Sequence, residues 1–370
     1  MIKNDDRVST WQMFIISISA MNAIEVLIFP RELAIDVGPD GWIPLLGGHL
    51  AAAVGLLVII KLGLMYPEET FADYTPRIVG RYLGFGFVSL AVVFWILVTA
   101  RITREFGDFI KMGILNDTPI EIIILALLVV SVYLVRHGIE PIARALEILF
   151  PIFMAIFGFL FVLVFTEADF SNLRPFFQSD IPSLAMASLD TAIGLEGKEV
   201  IIMLLPFMAV SKDAYKASFG ALGLNLVLRL VLFAMTIAAF GTELTKTLVY
   251  PVQALSASPT IPGAFFGRLD VIFISLWVTI AFSSVVVFYY LAALALSRLL
   301  KFREHSFMVL PYLPVIFLLS LIPQNVVQIE EFSDVVSLLF GTLAYGIPLV
   351  LLITSYIRGT HKQPSPGRGR

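Results

Sequence analysis

The chain has 370 residues, of which 58% are hydrophobic and only 14% charged, with a formal net charge of −3 and a mean hydropathy of +0.92. A soluble domain cannot hide that much apolar surface, so the composition places the chain among polytopic membrane proteins. The absence of cysteine excludes disulfides, thiol nucleophiles and thiolate metal sites, and four scattered histidines (His49, His137, His305, His361) do not form a metal cluster.

Residues 1–9 are polar and read as a cytoplasmic N-terminus. The apolar run from Thr10 is about as long as a bilayer-spanning helix of ~20 residues. It lacks a small-residue cleavage site and runs into Pro30-Arg31, so it is expected to be a span rather than a cleaved signal. Ten helices are predicted, at 10–36, 42–65, 82–111, 120–136, 142–166, 183–209, 217–241, 269–300, 307–323 and 332–357. Turn residues punctuate them. Gly38-Pro39-Asp40-Gly41 closes the first, and Trp42 suits the membrane interface. Thr118-Pro119 opens the fourth, Leu173-Arg174-Pro175 lies in a long outer connection at 167–182, and Pro259, Pro262 and Gly263 break up a later loop.

Basic residues orient the spans. With the N-terminus inside, sixteen Lys and Arg fall in cytoplasmic segments, five in outer segments, and four (Arg101, Arg104, Lys198, Arg229) within spans. That bias puts both termini in the cytoplasm. The polar tail at 358–370, rich in Gly and Pro, is expected to be disordered.

Ten spans divide into five-helix halves at 10–166 and 183–357. An odd number per half makes the second enter from the opposite face, an inverted repeat. The first span of each half is interrupted in the same way. One reads Asn22-Ala23-Ile24-Glu25-Val26 with Pro30 closing the run, the other Gly194-Leu195-Glu196-Gly197-Lys198-Glu199-Val200 with Pro206. Paired interruptions of this kind point to a binding site between half-helices, where a ligand can partner freed backbone groups. Intramembrane carboxylates are costly and mark functional positions. Glu25 and Glu199 either meet a ligand amine, a proton or an ion, or cap backbone exposed by the breaks. Lys198 needs a counter-charge, and a Glu25–Lys198 tie across the two breaks is the expected one. Arg101–Glu105 and Arg104–Asp108 have i,i+4 spacing and read as a structural stripe. Arg229 has no partner evident in sequence. Asp190 reads as lying outside the hydrocarbon. Gly84-Phe85-Gly86 is compatible with close helix packing. No Walker-type loop, His-Glu-x-x-His or G-x-S-x-G is present, so neither an ATPase motor nor an enzymatic activity is expected, and no cofactor, metal or nucleic-acid partner.

The chain resembles the B subunits of spore nutrient germinant receptors (the GerAB/GerKB type), a branch of the amino acid–polyamine–organocation (APC) superfamily. The marks are Phe29-Pro30-Arg31-Glu32-Leu33-Ala34, Pro39-Asp40-Gly41-Trp42, Thr118-Pro119-Ile120, Asn172-Leu173-Arg174-Pro175, Gly197-x-Glu199-Val200 with Pro206, and Tyr250-Pro251 leading into Arg268 and Trp277. The resemblance runs from Thr10 to Arg358. It implies an all-α polytopic LeuT/APC-type fold, a 5+5 inverted repeat with broken first and sixth helices. It implies a protein of the spore inner membrane that senses a small nutrient, typically an amino acid, beside a large A subunit and a lipoprotein C subunit. It further implies a ligand pocket built from Asn22, Ala23 and Glu25, from Glu196, Gly197, Lys198 and Glu199, from Phe94 and Val98 on the third span, and from Ser284 and Phe288 on the eighth. Family members usually carry a Gly-x-Gly-like stretch where this chain reads Ala23-Ile24-Glu25, and Glu196 and Lys198 replace positions that are often apolar. Three outcomes follow for the pocket: a more cationic ligand, neutralisation of Glu25 by Lys198, or loss of free amino-acid binding. A proton-coupled amino-acid transporter with Glu25 or Glu199 as proton carrier is the competing function, and a structural or channel-forming subunit is a third.

Overall fold

A computed structural model describes residues 6–165, 168–257, 269–302 and 304–360. The Pro259–Gly263 loop and the tail beyond residue 360 lie outside that range. The described residues are helical, and only Val8 and Met208 make a β-type bridge.

The first span is two helices, α1 (Thr10–Met21) and α2 (Phe29–Val37), separated by a 3₁₀ turn at Ile24–Leu27. Ser9 starts α1 with a capping box: its hydroxyl accepts from Gln12 N at 3.1 Å, and the Gln12 side chain accepts from Ser9 N at 2.9 Å. Next come α3 (Trp42–Met65), α4 (Phe71–Val79), α5 (Arg81–Gly113), α6 (Ile120–Val135) and α7 (Ile139–Phe165). The sixth span is also broken, into α8 (Ile181–Ile193) and the short α9 (Ile201–Leu204). The rest are α10 (Ala214–Thr247), α11 (Pro251–Ala257), α12 (Leu269–Leu299), α13 (Ser306–Ser320), α14 (Val326–Gly341) and α15 (Ile347–Arg358). Six helical runs are long and apolar enough to cross a bilayer, and α1, α6, α8 and α13 are shorter apolar helices.

The helices pack in reciprocal pairs. α10 lies against α1, α3 lies against α8, and α5 pairs with α12. Exchanging the two halves turns the first pairing into the second and the third into itself. That exchange is what a two-fold repeat requires, inverted here because each half has an odd number of spans on the ten-span reading, and it puts both breaks at the centre.

Two short helices lie where the sequence pattern reads as loop. α4 and α11 have nine and seven residues, too few for a periodicity to register. α4 folds back on α5. A Cβ at Gly84 would lie 2.7 Å from Pro76 N, whereas one at Gly86 meets nothing within 4 Å. So Gly84 alone of the Gly-Phe-Gly triplet is a packing glycine. α10 runs six residues past the predicted end, with a non-helical kink at Gly241.

The turn at Gly38–Gly41 anchors the outer connection. The Asp40 carboxylate is fully buried and accepts from the backbone N–H groups of Phe177 (2.6 Å), Gln178 (2.6 Å) and Ser179 (2.9 Å). Hydrogen bonds to a charged acceptor contribute about 1.5–3 kcal/mol each. At the opposite end Val8 N donates to Phe207 O and Ala209 N donates to Val8 O, both at 2.9 Å, which fastens the chain start to the exit of the sixth span.

Two outcomes test this packing. Gly84→Leu is expected to lower the thermal midpoint in detergent by an overpacking cost of ~1–3 kcal/mol, while Gly86→Leu leaves it unchanged. Asp40→Ala is expected to expose the 176–180 segment to proteolysis, detected by limited digestion.

Candidate functional site

The two breaks cross at Gly197. Its φ of +95° lies in the left-handed region that glycine adopts without strain. A Cβ there would stand 2.5 Å from Ala20 C and 2.6 Å from Met21 N. The bend of the sixth span therefore rests directly on the last backbone units of α1.

Each break ends a helix early and strands its final carbonyls. On the first, Asn22 Nδ2 donates to Ile18 O (2.8 Å) and Ser284 Oγ donates to Ser19 O (2.8 Å). Asn225 Nδ2 donates to Asn22 Oδ1 (3.0 Å) and, more weakly, to Met21 O (3.4 Å). His49 Nδ1 donates to Leu45 O (2.7 Å), and its Nε2 lies 3.0 Å from Asn225 Oδ1. A polar chain thus runs from α3 through α10 to the end of α1. On the second break, Lys198 Nζ donates to Ala192 O (3.2 Å) and Leu195 O (3.4 Å). The Glu199 carboxylate accepts from Gly197 N (2.8 Å) and faces Trp95 Nε1 at 3.5 Å.

The charges are arranged across helices. Arg101 on α5 donates through Nη2 to Glu196 Oε2 at 2.5 Å, and its Nη1 lies 3.8 Å from Glu105 Oε1. The i,i+4 pair expected from spacing is therefore the looser of the two contacts, because the sixth-span break delivers a second carboxylate closer. Arg104–Asp108 does form as spaced, at 2.8 Å. Glu25 is held by Arg229 of α10, with Nη2 and Oε2 3.8 Å apart. That overturns the expected Glu25–Lys198 tie. Lys198 points instead to the carbonyl end of α8, and Arg229 lies over the Phe29 ring at 5.1 Å, beside Glu25. The Glu25 carboxylate also sits against Gly194, so it does reach across to the sixth-span break.

Exposure separates these groups. Glu105, Glu196, Lys198 and Glu199 are buried, whereas the Glu25 side chain keeps 21% of its surface. Arg229 is 98% covered, yet its Nε and Nη2 make no hydrogen bond. Glu32, Asp36 and Asp190 are exposed on α2 and α8.

Of the residues implied by resemblance, Asn22, Glu25, Glu196, Gly197, Lys198 and Glu199 gather at the crossing. Ala23 is buried there and caps the 3₁₀ turn. Ser284 joins them through Ser19 O. Phe94, Val98 and Phe288 are fully buried, and Phe94 packs on Phe340 at 5.8 Å between centroids. An apolar cavity of ≈ 50 Å³ flanks Asn22 and Val26 on another side, walled by Phe157, Leu228, Leu232 and Trp277, and none of the three lines it. Sequence reasoning singled out Arg229 without a partner, gave His49 and Asn225 no role at the breaks, and found Glu105 but not Glu196 as a partner of Arg101. A polar residue inside an apolar run was the available signal; its partner depends on the crossing.

Arg101→Met leaves Glu196 as an uncompensated buried charge and is expected to cost about 3–5 kcal/mol. The double variant Arg101→Met/Glu196→Gln is expected to recover part of that loss in thermal unfolding, the non-additivity of a direct pair.

The family model described as "Spore germination protein" matches residues 7–329. The chain is 30% identical over 356 residues to spore germination protein YndE of Bacillus subtilis (strain 168), covering 96% of this chain and 98% of that protein. It is 29% identical over 373 residues to spore germination protein KB of the same organism, covering 98% of each. Among solved structures it is similar to MhsT in complex with L-phenylalanine, with a TM-score of 0.66 at 16% identity over 95% of this chain and 90% of that one. At that identity the likeness concerns the fold, the LeuT-type inverted repeat with its broken helices. With the apolar helices and the crossed breaks, these matches make the chain an integral membrane protein of the spore germination protein family.

Proposed function

We propose that this chain is the membrane B subunit of a spore nutrient germinant receptor, and that it senses a small zwitterionic nutrient, an amino acid or a close analogue, at the first break. The observation that carries the reading is the Glu25–Arg229 pair. It sits in the break, partly open at Glu25, with a charge separation of 3.8 Å and guanidinium atoms that make no hydrogen bond. Unsatisfied buried donors favour any ligand that supplies acceptors. A ligand ammonium against Glu25 and a ligand carboxylate against Arg229 would complete both. The exposed Glu32, Asp36 and Asp190 would draw cationic groups towards that side.

Of the three outcomes set out for the pocket, neutralisation of Glu25 is the one this reading adopts, with Arg229 rather than Lys198 as the counter-charge. Partners, location and topology follow on this reading from family membership. The partners would be an A subunit and a lipoprotein C subunit. The location would be the spore inner membrane, with both termini cytoplasmic and ten spans in two five-helix repeats. Binding would shift the crossed breaks and pass the signal to the partners. Proton-coupled transport through the same scaffold is the second reading, favoured by the fold shared with MhsT.

The test is a thermal-shift screen of amino acids on the purified chain, repeated with co-expressed A and C subunits. A stabilising amino acid is expected, with the shift lost in Glu25→Gln and in Arg229→Met. Uptake of that amino acid into proteoliposomes by this chain alone would assign transport instead. No stabilisation by any amino acid, with or without the partner subunits, would remove the nutrient-sensing role.

A further inference from the structure

The lysine of the sixth-span break sits in a cage whose contacts are distinct from those of the Glu25–Arg229 pair. Lys198 is 2% exposed. Its Nζ donates to two carbonyls near the C-terminal end of α8, Ala192 O and Leu195 O. It also lies 4.1 Å from the centroid of the Phe340 ring and 4.3 Å from that of Tyr345. Tyr345 stands on a π-helical turn, Thr342–Gly346, between α14 and α15, and its hydroxyl donates to the same Ala192 O at 2.9 Å.

Two kinds of negative surface converge on one point. A helix C-terminus presents stranded carbonyls and the negative end of the macrodipole. Aromatic faces attract cations, more strongly when water is excluded. Carbonyl oxygens and ring faces together form the donor set of a site for a monovalent cation or an organic ammonium. Two carboxylates add their charge to this site: Glu196, which is paired with Arg101, and Glu199, which accepts from Gly197 N, both act electrostatically on the Lys198 ammonium.

We propose that this is a monovalent-cation site whose occupant is the chain's own Lys198 ammonium, so that this helix end takes no dissolved alkali cation. The first break supports the same conclusion independently. There the carbonyls of Ile18, Ser19 and Met21 are met by Asn22, Ser284 and Asn225, again by side-chain donors. Both half-helix ends are thus closed from within. A covalently tethered cation cannot dissociate, so the cage ties α8 to the α14–α15 segment rather than exchanging an ion.

The test compares thermal midpoints of the full chain in detergent. For the wild type, replacing sodium with N-methylglucamine is expected to leave the midpoint unchanged; a sodium- or potassium-dependent midpoint would overturn the proposal. Lys198→Ala opens the cage and is expected to lower the midpoint by several degrees. n-Propylammonium chloride should then restore most of the loss, where sodium chloride and n-propanol at equal concentration do not. Absence of that selective rescue in a folded variant would count against the cage. Should Lys198→Ala not fold, Lys198→Gln decides: it keeps donors for the carbonyls and removes the charge. A midpoint below wild type is expected, and a wild-type midpoint would sink the idea.

Discussion

The architecture depends on one close backbone contact. Gly197 in the left-handed conformation lets the sixth span bend directly onto Ala20 and Met21 at the end of α1. No side chain separates the two backbones. Everything polar in the centre follows from that crossing, because it ends two helices inside an apolar body and strands their carbonyls and N–H groups. In a low-dielectric interior each unsatisfied group costs several kcal/mol, so a break survives only where partners are supplied.

Those partners come from helices that the inverted repeat brings to the crossing. α10 contributes Asn225 and Arg229, α12 contributes Ser284, α5 contributes Trp95 and Arg101, and the α14–α15 segment contributes Phe340 and Tyr345. The two breaks are closed differently. Neutral amides and hydroxyls serve the first, leaving Glu25 with Arg229 as its charged element. Ammonium, guanidinium and carboxylates serve the second. The result is an internally bonded sixth-span break beside a first break that keeps one partly open ion pair. On the function proposed for this chain, that asymmetry would put the responsive element on the side where a charge is still incompletely satisfied.

Much of this was legible in the sequence, for identifiable reasons. Composition fixed the membrane class, and the repeated Glu-Val interruption marked both breaks, because charges and Gly-rich segments stand out against an apolar background. Pro39-Asp40-Gly41-Trp42 was visible as a turn, although its purpose, an aspartate holding three N–H groups of a distant loop, was not. The i,i+4 reading of Arg101–Glu105 held but was incomplete, for a physical reason. Local spacing reports which groups can meet along one helix, and is silent about a carboxylate delivered by another. The short helices α4 and α11 escaped because a pattern needs more turns than they contain.

The sequence by itself determined that this is a helical membrane protein of the spore germination family with two interrupted helices, since hydropathy, turn residues and family motifs are properties of the linear chain. Only the tertiary structure decided how the buried charges pair. From the sequence, Glu25 could equally have been answered by Lys198, the cation of the other break. The turn at Gly197 aims Lys198 at the carbonyl end of α8 and two aromatic rings, and the packing of α10 on α1 brings Arg229 to Glu25. Charge pairing in a low-dielectric interior is set by separations of a few ångströms, and those exist only once the two breaks have crossed.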